Sequence, residues 1–144
     1  MLPIFQLLGT EYCRKDIITR FINKEKMYDG FTKISFIYPH AVASMKVGQG
    51  AKSEGEMIVS GTKGYIYVPA PWWKTDYFEV RYENQQNNKR YFYQLDGEGL
   101  RYELLSFLKA IRTGKEFSYV ANDISKAITS TIADFYAHQD MTVI

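Results

Sequence analysis

The sequence has few of the residues that usually advertise chemistry. Its 144 residues include a single cysteine, Cys13, and two histidines, His40 and His138. One cysteine excludes an internal disulfide and fits a reducing compartment. One cysteine and two scattered histidines do not supply the three or four ligands of a zinc site at workable spacing. No Gly-x-Ser-x-Gly elbow accompanies them, so nucleophilic catalysis by Cys13 or the histidines has no supporting pattern. Charge of one sign is also lacking. The net charge is +2, and a dedicated nucleic-acid binder would show a clustered basic face. No apolar run approaches the ~18 residues that cross a bilayer. The start, MLPIFQLLGTEY, lacks the basic stretch of a secretory signal. The expectation is a cytoplasmic protein without membrane or nucleic-acid partners. Prolines number four, and two of them, Pro69 and Pro71, fall in one loop.

What the chain does have is aromatics: 12 Tyr, 9 Phe and 2 Trp. Many stand in alternating runs, the pattern of strands with one half-polar face. KDIITRFIN reads as a strand. FTKISFIY sets Ile34, Phe36 and Tyr38 on one side, Lys33 and Ser35 on the other. AVASMKV sets Ala41, Ala43, Met45 and Val47 against Val42, Ser44 and Lys46. EMIVS and YIYV flank Gly61-Thr62-Lys63-Gly64, a hairpin signature, with Tyr65 and Tyr67 sharing a face. YFEVRYE alternates Tyr77, Glu79 and Arg81 with Phe78, Val80 and Tyr82, and RYFYQL reads as a further strand. The first residues, Leu2 to Leu8, ending at Gly9, read as the tail of a helix.

The period changes in the last third. Leu104, Phe107, Leu108 and Ile111 recur at helical spacing up to Gly114. Ile124, Ile128, Ile132 and Phe135 make a second stripe, with Asn122 or Asp123 as N-cap. About seven antiparallel strands followed by two helices predict an α+β domain over residues 1–144. Its open, mainly antiparallel sheet would carry helices on one face and leave the other to solvent, substrate or another chain.

Two glycine clusters imitate a dinucleotide-binding loop. Gly48-Gln49-Gly50 with Gly55 precedes a strand, so no helix N-terminus awaits a pyrophosphate. Gly97-Glu98-Gly99 does open a helix, but Tyr102 stands where the third glycine belongs and Glu98 brings negative charge. The carboxylate pairs Glu54 with Glu56 and Glu98 with Glu103 read as solvated or helix-end charges. The loop 69–75 is the most informative stretch. Its prolines stiffen the backbone and present Trp72 and Trp73 side by side. Aromatics on a pre-ordered arm suit a contact surface, and folding back as a lid on the sheet edge is the alternative. The expected contact set is Trp72, Trp73, Lys74, Tyr77, Glu79 and Arg81, the rings for stacking area and the cations for hydroxyl, carboxylate or phosphate groups.

The runs "KSEGEMIVSGTKGYIYVPAPWWKTDYFEVRYE" and "GEGLRYELLSFLKAIRTGK" resemble the C-terminal domain of the glucose–fructose oxidoreductase, inositol dehydrogenase and MocA (Gfo/Idh/MocA) family. The likeness covers nearly the whole chain. It implies a substrate-binding and oligomerisation domain that pairs with another subunit through its open sheet. Sugars, polyols or related small molecules would be the substrates. NAD(P) would be bound by a separate Rossmann domain, absent here, and no cofactor by these residues. The family's catalytic lysine lies in a Glu-Lys-Pro motif of the nucleotide-binding half. Glu25-Lys26-Met27 is the nearest stretch here and lacks the proline, so no catalytic residue is carried over. The chain would be inactive alone. A dimerising interaction module with no small-molecule ligand is the competing expectation, and a separate Rossmann-domain chain is an expected partner of the first.

Overall fold

The computed structural model describes residues 1–97, 99–115 and 117–144. The chain divides into two compact units, residues 1–53 with 120–144, and residues 54–119.

The first unit contains α1 (Leu2–Leu8), β1 (Arg14–Asn23), β2 (Tyr28–Ile37), β3 (Val42–Val47), α3 (Asn122–Tyr136) and β8 (Met141–Val143). Its sheet runs β3-β2-β1-β8. The first three strands are antiparallel, and β8 adds to the free edge of β1 in parallel. Alternation decides the faces. Lys15, Ile17, Thr19 and Phe21 of β1 point inward, as do Thr32, Ile34 and Phe36 of β2, with Tyr38 just beyond the strand. Phe5 of α1 packs edge-on against Phe36, ring centroids 5.1 Å apart. Ile124, Ala127, Ile128 and Phe135 of α3 close over the same cluster. Both helices thus cover one face of this sheet.

Buried polar groups in this unit are all paired. Thr19 and Thr32 hydroxyls lie 2.7 Å apart, and Thr32 donates to Asp29 at 2.7 Å. The Lys15 ammonium, almost fully enclosed, pairs with Asp134 of α3 and lies 3.9 Å from Asp140 ahead of β8. A buried cation without such partners would be costly.

The second unit contains β4 (Met57–Gly61), β5 (Gly64–Val68), β6 (Tyr77–Tyr82), a short 3-10 turn (Gln85–Asn87), β7 (Lys89–Phe92) and α2 (Leu100–Thr113). Its sheet is an antiparallel meander, β4-β5-β6-β7. The expected hairpin is present, with Gly61 opposite Gly64 across Thr62-Lys63. Gly64 is obligatory for a spatial reason: a Cβ there would lie 2.4 Å from the Arg81 carbonyl oxygen. A strand-to-strand approach that close leaves no room for a side chain.

The α+β class with open antiparallel sheets agrees with the sequence reading, with the strands shared between two sheets. Three local expectations change. The α3 N-cap is Ala121, which makes no side-chain cap bond, rather than Asn122 or Asp123. Thr131, not Ile132, turns into the core; its hydroxyl is satisfied by the Ala127 carbonyl at 2.9 Å, and Ile132 is left exposed. The stripe of α2 is not buried at all.

Candidate functional site

The meander of the second unit has two unlike faces, and its register states which residues share each. Met57 opposes Val68, Val59 opposes Ile66, Ile66 opposes Val80 and Phe78 opposes Tyr91. That face is apolar except for Lys89, which stands opposite Val80. On the other, Tyr67 opposes Glu79, Tyr65 opposes Arg81, Glu79 opposes Arg90 and Tyr77 opposes Phe92. Opposite residues on one face stand close enough for side chains to interact.

They do so as one network. Glu79 is the hub: its Oε2 accepts from Arg81 Nε at 2.6 Å and its Oε1 from Arg90 Nε at 2.9 Å. Arg81 lies over the Tyr67 ring at 4.4 Å and reaches the Tyr65 hydroxyl at 3.3 Å. Arg90 lies over the Tyr77 ring at 4.7 Å. These distances are within cation–π range. The Glu79 side chain is only 14% exposed, against 35% for Arg81 and 52% for Arg90. The acid is therefore recessed beneath two guanidinium planes, and the face presents rings and N–H edges.

The electrostatics follow the geometry. Hydrogen bonds from Arg90 and then Arg81 hold the Glu79 carboxyl below its ordinary value, outweighing its desolvation. The Arg81 guanidinium is held protonated even more firmly than usual, through Tyr65 and Glu79. Desolvation pushes the Tyr67 phenol up, and the Glu56 carboxylate adds to this by charge and hydrogen bond, against the opposing pull of Arg81.

The loop between β5 and β6 carries the tryptophans. The Ala70–Pro71 peptide is cis. The Trp72 N–H donates to the Gly55 carbonyl at 2.9 Å, and the Lys74 N–H to the Pro71 carbonyl at 2.9 Å, closing a turn. The two indoles meet edge-to-face, 5.8 Å apart at 87°. Trp72 is half-buried, and Trp73 is 57% exposed.

The six residues singled out in the sequence thus fall into two groups. Trp72, Trp73 and Lys74 form the turn, while Tyr77, Glu79 and Arg81 line the polar–aromatic face of β6. Arg90, absent from that set, completes the network. Period-two reading of RYFYQL puts Arg90 and Phe92 on one face, but only strand register sets Arg90 against Glu79. The Gly48–Gly55 stretch leads into β4, a strand, as expected. Glu98 lies outside the described residues, so the second glycine cluster and the Glu98–Glu103 pair are not placed; Gly99 is the N-cap of α2. Among the described residues no cluster of three or more His, Cys, Asp or Glu could hold a metal ion, and no helix is long and apolar enough to cross a membrane.

No protein-family model matches the chain, and no curated protein matches it in sequence. Solved structures do match in fold. KijD10, a 3-ketoreductase from Actinomadura kijaniata in complex with NADP and TDP-benzene, superimposes with a TM-score of 0.74 at 9% identity, over 99% of this chain and 44% of that one. Biliverdin reductase from Synechocystis sp. PCC 6803, in complex with biliverdin and NADP+, gives 0.70 at 17% identity, over 94% and 42%. Levoglucosan dehydrogenase, in complex with NADH and L-sorbose, gives 0.67 at 16% identity, over 94% and 46%. This chain spans less than half the length of each. Its fold is that of a portion of these oxidoreductases.

Proposed function

We propose that this chain is the substrate-binding and oligomerisation part of an NAD(P)-dependent oxidoreductase of the Gfo/Idh/MocA kind, acting on a sugar, polyol or related small molecule in the cytoplasm. One observation carries the reading: nearly all of the chain superimposes on under half of an NADP-bound 3-ketoreductase, TM-score 0.74. The nicotinamide cofactor is then bound by residues other than these 144, on the same polypeptide or a separate Rossmann-domain chain. These residues alone do not turn over substrate.

The chemistry of the second unit suits this role. Rings on a sheet, with guanidinium edges fixed by one carboxylate, offer stacking for the C–H face of a sugar and donors for its hydroxyls. The turn Trp72-Trp73-Lys74 and the strand set Tyr77, Glu79 and Arg81 are the contact residues for substrate or for a second subunit. Open polar–aromatic surface of this kind also supports homo-oligomerisation through the sheet; the ligand-free dimerising module shares that contact and differs in binding no small molecule.

Titrating the purified chain with NADH tests the cofactor assignment. Nicotinamide fluorescence is expected to stay unchanged, and a saturable change overturns it. Titration with sugars and polyols, followed by tryptophan emission, tests the ligand. Quenching that disappears in Trp73→Phe supports substrate contact; a dimer whose emission no sugar or polyol alters favours the ligand-free module.

A further inference from the structure

The two arginines of the meander's polar–aromatic face are not occupied alike. Arg81 gives Nε and Nη2 to Glu79 Oε2, each at 2.6 Å, and Nη1 to the Tyr65 hydroxyl at 3.3 Å. Arg90 gives Nε and Nη2 to Glu79 Oε1, at 2.9 and 2.5 Å. Among the described residues its Nη1 has no hydrogen-bond partner. Arg90 therefore keeps the Nη1/Nη2 end of its guanidinium, while Glu79 fixes the other side and the Tyr77 ring lies beneath at 4.7 Å. It is also the more exposed of the two arginines.

Charge is unbalanced at the same place. One carboxylate serves two guanidiniums, so this row of the sheet carries one positive charge in excess. The other acids of the face stand away from it. Glu56, bonded to Tyr67, precedes β4 on the far side of the meander from β7. Glu83 follows the end of β6, four residues from Glu79 and so roughly 13 Å away by strand rise. Two residues beyond Arg90 on the same face, Phe92 stands opposite Tyr77 and is 72% exposed. Strand rise separates Arg90 from Phe92 by roughly 7 Å, a span that a hexose with its substituent bridges.

Building on the substrate-binding role proposed above, we infer that this face takes an acidic sugar, its carboxylate held by the Nη1/Nη2 end of Arg90 and the C–H face of its ring on Phe92. A planar fork of N–H donors matches the two oxygens of a carboxylate, and the carboxylate's charge balances the excess. A neutral sugar would meet Phe92 and leave that charge unmatched. Glu79 is a positioning residue, since both its oxygens are taken by the arginines.

Isothermal titration calorimetry of the intact chain at low ionic strength, where such a contact is least screened, compares D-glucuronate, D-glucose and D-glucose 6-phosphate. D-Glucuronate is expected to bind about tenfold more tightly than D-glucose. Arg90→Gln should abolish that preference while far-UV circular dichroism stays unchanged. Lys89→Gln, which removes the same charge from the other face of β7, should leave the preference intact. Equal affinity for D-glucuronate and D-glucose overturns this inference and leaves the proposed function standing. So does a preference that survives Arg90→Gln, or one that Lys89→Gln removes equally. Tighter binding of D-glucose 6-phosphate than of D-glucuronate overturns the carboxylate assignment. No binding by any of the three overturns the inference together with the substrate-binding role.

Discussion

The two units solve the same problem differently. The first buries Phe5, Ile17 and Phe36 almost completely beneath two helices and tolerates an enclosed lysine because Asp134 meets it. The second buries one apolar side chain among its described residues, Val68, and less completely, at 8% exposure. It keeps its arginines, tyrosines and helix stripe at the surface. A unit with a filled core is folded for its own sake. The second leaves the α2 stripe unburied and gathers its polar network on one face of its meander. That contrast is the ground on which the proposed contacts are placed within residues 54–119.

The contrast can be broken at its strongest point first. Phe36→Ala removes a fully buried ring that touches Phe5 and Tyr12, and should cost about 3–5 kcal/mol in denaturant unfolding. Phe92→Ala, on the exposed face of the other sheet, should cost far less. Equal losses would mean that the second unit is as self-sufficient as the first.

Next is the buried ion pair. Asp134→Ala leaves the enclosed Lys15 with the more distant Asp140 carboxylate, 3.9 Å away, and should cost about 3 kcal/mol, whereas Lys15→Met with Asp134→Leu should recover most of it. Failure of the double variant to recover would show that the pair specifies the fold and does not merely satisfy it. Gly64→Ala should follow, at about 1–3 kcal/mol from overpacking against the Arg81 backbone. Thermal unfolding followed through Trp72 and Trp73, both in the same unit, would report it.

The smallest effect sharpens the comparison by pH. The folded-state value of Glu79 is depressed, so its contribution to stability is present above the ordinary glutamate value of 4.5 and is lost as pH falls through the lower folded value. Melting temperatures of wild type and Glu79→Gln should differ at neutral pH and converge on acidification. A gap that persists under strong acid would mean that the carboxylate charge is not what organises the two arginines.

Much of this was legible beforehand where the signal was local. Alternation in FTKISFIY predicted which side chains enter the core, the Gly-bounded link predicted the β4–β5 hairpin, and Gly114 ended α2 where expected, at a φ of 63°. Non-local features escaped. The three residues of β8 follow a helix with no strand-like context, and they become a strand only because β1 offers a free parallel edge. Ile132 fits the helical stripe as well as Thr131 does, and the choice depends on the rotation of α3 over the sheet. Arg90 belongs to the candidate site by register alone.

The sequence by itself determined the periods, turns and caps, because these depend on backbone sterics and on neighbours a few residues away. It also determined that Trp72 and Trp73 share a proline-stiffened turn and that Tyr77, Glu79 and Arg81 share a face. Only the tertiary structure decided that the strands form two sheets, that Glu79 serves two arginines at once, and that one helix stripe is covered while the other is open. Those outcomes depend on which distant segments meet, and no local pattern encodes what covers a face.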